Sequence, residues 1–107
     1  MYYVYIIRCS GNRLYTGITS DIARRMNEHF TQSEKCAKFT RSYKAEALEA
    51  LWTAADRSSA SRLEWRIKHL TKNHKLKLIE APQTVNELFE EETEYAPADK
   101  PEVYAKE

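Results

Sequence analysis

The sequence predicts a small α+β domain. Its opening, YYVYIIR at residues 2–8, is rich in Tyr, Val and Ile, and the Ser10-Gly11-Asn12 turn lets Arg13 to Gly17 return as a hairpin partner. Further on, Ala60, Leu63, Ile67 and Leu70 fall at spacings of 3, 4 and 3, an apolar stripe with helical period. Strands first and amphipathic helices after them, within 107 residues, describe one domain with a modest core.

Between these landmarks the elements follow in order. Thr19, Ser20 and Asp21 are all residues whose side chains cap exposed helix N–H groups, so a helix should start there and run to about Phe30. Residues 31–46 mix polar and basic residues with Phe39 and Tyr43 and read as a loop. The next stretch, AEALEALWTA at residues 45–54, is ambiguous: Ala, Glu and Leu favour helix, while the alternation of Leu48, Ala50 and Trp52 allows a strand. Thr71 can cap a short helix carrying Leu76 and Ile79, which Pro82 stops. Thr84-Val-Asn-Glu87 has the form of a capping box before Leu88 and Phe89. From Glu90 onward, acidic residues with Pro97 and Pro101 predict a disordered end.

The net charge of +1 conceals a division along the chain. Residues 1–79 hold 15 Lys/Arg against 7 Asp/Glu, a net +8; residues 80–107 hold 2 Lys against 9 Asp/Glu, a net −7. A basic body points to an anionic partner, although a solvated basic surface with a solubilising tail has the same composition. No apolar run approaches the roughly 18 residues of a membrane span, and MYYVYIIRCS lacks the form of a secretory signal. A cytoplasmic protein, with Cys9 and Cys36 as reduced thiols, is the expectation. No Cys/His spacing suits zinc, and there is no Gly-rich phosphate loop.

Five residues carry candidate chemistry. Tyr5 and Tyr15 lie on the two hairpin strands and can face one another, with Gly17 permitting close approach of a ligand or another backbone. Arg25 and His29, at i and i+4, share one helix face, and Glu64 sits at the edge of the later apolar stripe. Singly, each has an ordinary structural explanation. Together, Tyr3-Val4-Tyr5, Tyr15-Thr16-Gly17, Arg25-x-x-x-His29 and a distant helical Glu64 resemble the GIY-YIG nuclease family, with Tyr3 in place of its glycine and Thr16 in place of its isoleucine. The stretches YYVYIIRC, LYTGITSDIARRMNEH, AKFTRS and EWRIKHLTKNHK look like the short standalone bacterial branch, over roughly residues 2 to 80.

The resemblance implies a three-stranded antiparallel sheet flanked by helices, which would make residues 45–54 a strand. It implies a nuclease domain at residues 1–80, while charge and composition make residues 81–107 an acidic extension with a short helix and then disorder. It further implies metal-dependent hydrolysis of DNA phosphodiesters. Glu64 would be the metal ligand, a hard oxygen donor suited to Mg²⁺ or Mn²⁺. Arg25 would pair with the scissile phosphate, Tyr5 would be the general base for the attacking water, and Tyr15 would support water or phosphate. A free phenol titrates near pH 10, so the metal, Arg25 or His29 must help, by stabilising phenolate or relaying its proton. Arg24, Lys38, Arg41, Lys68 and Lys72 form the expected DNA-binding patch, with DNA as partner and no obligate protein partner. A nucleic-acid-binding module of the same fold with negligible turnover is the alternative.

Overall fold

The computed structural model describes residues 1–89 and 95–98. Strands β1 (Tyr2–Cys9) and β2 (Arg13–Thr19) form the expected hairpin, turned by Gly11 and Asn12 at φ of 74° and 59°. Helix α1 (Ile22–Phe30) follows, then a short α2 (Lys38–Ser42), β3 (Ala45–Ala54), α3 (Arg57–Lys68) and α4 (Lys72–Glu80). A 3-10 turn at Pro82–Thr84 leads into α5 (Val85–Phe89), and Ala96–Pro97 form β4. The caps explain three of the helix starts: Asp21, Asp56 and Thr71 accept from the backbone N–H of Arg24, Ser59 and His74. Each such cap contributes about 1 kcal/mol. Thr84 departs from the capping-box expectation, because its hydroxyl donates back to the Ala81 carbonyl at 2.7 Å and closes the 3-10 turn.

The antiparallel sheet has four strands in the order β2-β1-β3-β4, not the expected three. The fourth is only two residues, Ala96–Pro97, paired with Trp52 and Thr53. Nothing in so short and Pro-containing a segment marks it as a strand; it exists because β3 offers it an edge. The other residues of the predicted disordered end, 90–94 and 99–107, lie outside the described residues. No helix among the described residues is long and apolar enough to cross a membrane.

Two cores cover the two faces of the sheet. On one, Val4, Ile6, Ala50 and Trp52 pack against Ala60, Leu63 and Ile67 of α3, Leu78 of α4, Val85 and Tyr95. On the other, Tyr5, Ile7, Leu48 and Leu51 pack under Met26 of α1. A register shift in the pairing of β1 with β3 lies between Ile6↔Ala50 and Ile7↔Leu48. One extra residue there, Glu49, turns Leu48 to the α1 face while Ala50 and Trp52 stay on the α3 face. A single alternating face through Leu48, Ala50 and Trp52 is therefore corrected, and the bulge is why the pattern read ambiguously.

Tyr95 is 2% exposed and donates its hydroxyl to the Ser59 carbonyl at 2.9 Å, while Asn86 bonds both its N–H and its carbonyl. Tyr95→Ala should lower unfolding free energy by about 3–5 kcal/mol, as removal of a buried aromatic commonly does. Thermal and urea unfolding of the full chain measure this, and a loss below about 1 kcal/mol would show Tyr95 dispensable to the core.

Candidate active site

The hairpin and α1 bring Tyr5, Tyr15 and His29 into one aromatic cluster. Tyr5 pairs across the hairpin with Gly17, and Tyr15 pairs with Ile7, so the two tyrosines share a face diagonally rather than directly opposite. Their ring centres are 6.4 Å apart, and each is 5.6 Å from His29, which meets both edge-on. A Cβ at Gly17 would fall 2.4 Å from the Tyr5 hydroxyl. The close approach expected at Gly17 is therefore that of the Tyr5 ring, which crosses β2 where any side chain would block it.

Hydrogen bonds orient the cluster. The Tyr5 hydroxyl lies 2.8 Å from His29 Nε2, and His29 Nδ1 lies 2.7 Å from Thr40 Oγ1. Thr40 is fully buried and donates its one hydroxyl proton to the Ala37 carbonyl at 3.1 Å. Its oxygen therefore accepts from His29 Nδ1–H, which leaves Nε2 as the acceptor for the Tyr5 proton. Thr40 is a residue that sequence reading missed. It lies in α2, within a segment read as loop, and only the AKFTRS stretch hinted at it.

Burial raises the Tyr5 pKa, with the nearby Tyr15 adding to the effect, while Arg25 partly opposes it. Burial likewise raises Tyr15, with Lys68 and Arg25 opposing. His29 is lowered to about 4, first by burial and then by the Arg25 charge. The resting site thus holds neutral phenols and a neutral imidazole.

Arg25 is anchored by Nη1, which donates to Glu28 Oε1 at 2.7 Å and to the Lys35 carbonyl at 2.8 Å. The hydrogen bond from Arg25 lowers the pKa of buried Glu28, keeping it ionised. Glu28 was also unforeseen, although it stands three residues after Arg25, on the same helix face. Helix α3 packs beside β2, so the negative charge of Glu64 is felt by both tyrosines and the Lys68 ammonium stands 5.8 Å from the Tyr15 ring centre. Glu64 is 23% exposed and ion-paired with Lys68 at 3.2 Å. The structure thus gathers Tyr5, Tyr15, Arg25, His29 and Glu64, together with Lys68.

The other basic residues are differently placed. Arg24 is ion-paired with Asp21 at 3.5 Å and Glu28 at 3.3 Å. Arg41 donates to the Glu34 carbonyl, Lys72 donates to the Asn12 carbonyl, and Lys38 is exposed. Thr16, where the motif has isoleucine, is buried opposite Ile6 with its hydroxyl unpartnered among the described residues. It lies with Ile6 on the α3 face of the sheet, away from the tyrosine cluster.

Neutral His29 in the fold has a consequence for stability. Its folded pKa of about 4 lies below its ordinary 6.5, so the unfolded chain binds more protons between those values. The stabilising contribution is complete above pH 6.5 and is lost as pH falls toward about 4, by about 3 kcal/mol. Glu28, with its lowered pKa, adds a loss of the same sign at more acidic pH. Urea unfolding across this range should show the decline, and His29→Gln should flatten it; an equal slope in the variant would place its origin elsewhere.

Residues 1–77 match the family model described as the GIY-YIG catalytic domain. UPF0213 protein PC1_0597 of Pectobacterium carotovorum subsp. carotovorum is 46% identical over 85 residues, covering 78% of this chain and 84% of its own. UPF0213 protein YhbQ of Salmonella typhimurium is 45% identical over 89 residues, 83% of each chain. The solution NMR structure of UPF0213 protein BH0048 from Bacillus halodurans is similar at 31% identity, covering 83% of this chain and 97% of that one, with a TM-score of 0.47. With the two tyrosines, Arg25, His29 and Glu64 standing in one cluster within the matched span, the chain belongs to the GIY-YIG family, in its branch of short bacterial UPF0213 proteins.

Proposed function

We propose that this chain is a divalent-metal-dependent endonuclease that hydrolyses DNA phosphodiester bonds, with residues 1–80 as its catalytic unit. The hydrogen-bond chain Tyr5–His29–Thr40, ending on the Ala37 carbonyl, carries this reading. It gives the Tyr5 proton a defined destination. As Tyr5 takes a proton from the attacking water, its own proton passes to His29 Nε2, so a free phenolate with an unfavourably raised pKa never has to form. The scissile phosphate pairs with Arg25, whose guanidinium is positioned by Glu28 and the Lys35 carbonyl. That pairing partly neutralises the charge that disfavours protonated His29, making the imidazole a better acceptor once substrate is bound. Tyr15 orients water or phosphate from the adjoining position.

The donor set suits a hard divalent ion held by one protein oxygen. Glu64 is a partly exposed carboxylate whose charge reaches both tyrosines, and among the described residues no group of three or more His, Cys, Asp or Glu could hold a metal by itself. Mg²⁺ or Mn²⁺ at Glu64 would stabilise charge on the phosphate and the leaving oxygen. Lys68, now paired with Glu64, would turn to the phosphate when the carboxylate takes a metal.

That same pairing favours the alternative, a nucleic-acid-binding module of this fold with negligible turnover, because an ammonium already neutralises the proposed metal ligand. A nicking assay on duplex, branched and single-stranded DNA, with Mg²⁺, Mn²⁺ or EDTA, separates the two. Cleavage requiring metal is expected; DNA binding without cleavage under any of these conditions would leave the binding module.

A further inference from the structure

A basic groove lies beyond the aromatic wall of the tyrosine cluster. Tyr15 stacks on Phe39 with ring centres 5.4 Å apart, Phe39 meets Tyr43 at 5.0 Å, and the Arg13 guanidinium sits 3.9 Å above the Tyr43 ring. On the far side of Phe39, the hairpin turn from Gly11 to Leu14 and the first turn of α4, with Lys72 and Lys75, enclose an open groove of about 370 Å³. Its lining contains three cations and no carboxylate. Arg8, Arg24, Arg25 and Lys68 are each ion-paired, whereas among the described residues Arg13, Lys72 and Lys75 have no acidic partner.

The rim is built rather than loose. Gly11 and Asn12 hold successive positive φ angles, Arg13 Nη1 donates to the Ser10 carbonyl at 3.0 Å, and Lys72 Nζ donates to the Asn12 carbonyl at 2.5 Å. The second bond ties the hairpin turn to the start of α4, and the two hold Arg13 and Lys72 in place without neutralising them. Fixed, uncompensated positive charge beside an aromatic wall suits a phosphate together with the apolar side of its sugar.

We propose that this groove binds a backbone phosphate of the nucleic-acid strand whose neighbouring segment lies at Tyr5, Arg25 and Glu64. The shared wall supports one continuous track: Phe39 borders the groove and stacks on Tyr15, which belongs to the tyrosine cluster. The inference rests on the nuclease reading for the position of the scissile bond, but binding can be measured without cleavage.

The test uses the full chain carrying Glu64→Ala, in EDTA, with a labelled DNA hairpin bearing single-stranded arms and fluorescence anisotropy across a salt series. Adding Lys72→Ala with Lys75→Ala should weaken binding about tenfold at low salt and reduce the salt slope by about 1 for each lost phosphate contact. Lys75→Glu alone should weaken it further than Lys75→Ala, and circular dichroism establishes that each variant is folded. Folded variants with unchanged affinity and slope would overturn the proposal. Tripolyphosphate that binds wild type at micromolar concentration and loses its site in the variants, while DNA affinity stays unchanged, would also overturn it in favour of a small-anion site. A chain that never cleaves DNA but shows these binding losses would refute the nuclease reading and leave the groove standing.

Discussion

Glu64→Ala should lower metal-dependent cleavage by about a thousandfold or more, the scale of losing several kcal/mol of charge stabilisation on the transferring phosphate. The fold should survive. Helix α3 is held by the buried stripe of Ala60, Leu63 and Ile67 and started by the Asp56 cap, neither of which involves Glu64. The Glu64–Lys68 pair is partly exposed and contributes less than about 1 kcal/mol. Removing the carboxylate also relieves repulsion of DNA, so binding in EDTA should be equal or slightly tighter. Nicking rates and thermal unfolding of the same preparations check both parts. A folded Glu64→Ala protein that nicks DNA at the wild-type rate would end the assignment of this residue to the metal.

Tyr5→Phe should lower the cleavage rate by about a hundredfold to ten-thousandfold, the range for loss of a general base. It keeps the ring that fills the space over Gly17 and removes only the hydroxyl bonded to His29. The stability cost, from an unpartnered Nε2, should be about 1–3 kcal/mol. Thr40 acts through His29 and serves as a positioning residue. Thr40→Val, similar in shape, should slow cleavage about tenfold, and Thr40→Ser should restore it. The discriminating observation is the His29 tautomer by ¹⁵N NMR: the proton sits on Nδ1 in wild type and Thr40→Ser, and leaves that nitrogen in a substantial fraction of Thr40→Val. If Thr40→Val slows cleavage with an unchanged tautomer, the threonine supports the site only by packing.

Several features of this molecule were legible in the sequence because their causes are local. The hairpin needed only a β-rich run and a turn able to adopt positive φ at Gly11 and Asn12. The starts of α1 and α4 needed Asp21 and Thr71, whose oxygens bond N–H groups three residues on. Arg25 and His29 were placed on one face by helical spacing, and the joint order of Tyr5, Tyr15, Arg25, His29 and Glu64 pointed to the family that the matched domain then established.

What the tertiary structure decided depends on partners far apart in sequence. Glu49 bulges because β1 and β3 adjust their register, which no window within residues 45–54 contains. Thr40 becomes a proton-orienting group only because α2 lies against α1, eleven residues away from His29 along the chain. Gly17 is required by the ring of Tyr5 across the hairpin, and Tyr95 enters the core through a hydrogen bond to Ser59, thirty-six residues earlier. The groove beside Phe39 joins the hairpin turn to α4 across sixty residues, from Asn12 to Lys72. Local spacing determines which side chains share an element, whereas burial and hydrogen bonding between elements determine their protonation, orientation and neighbours.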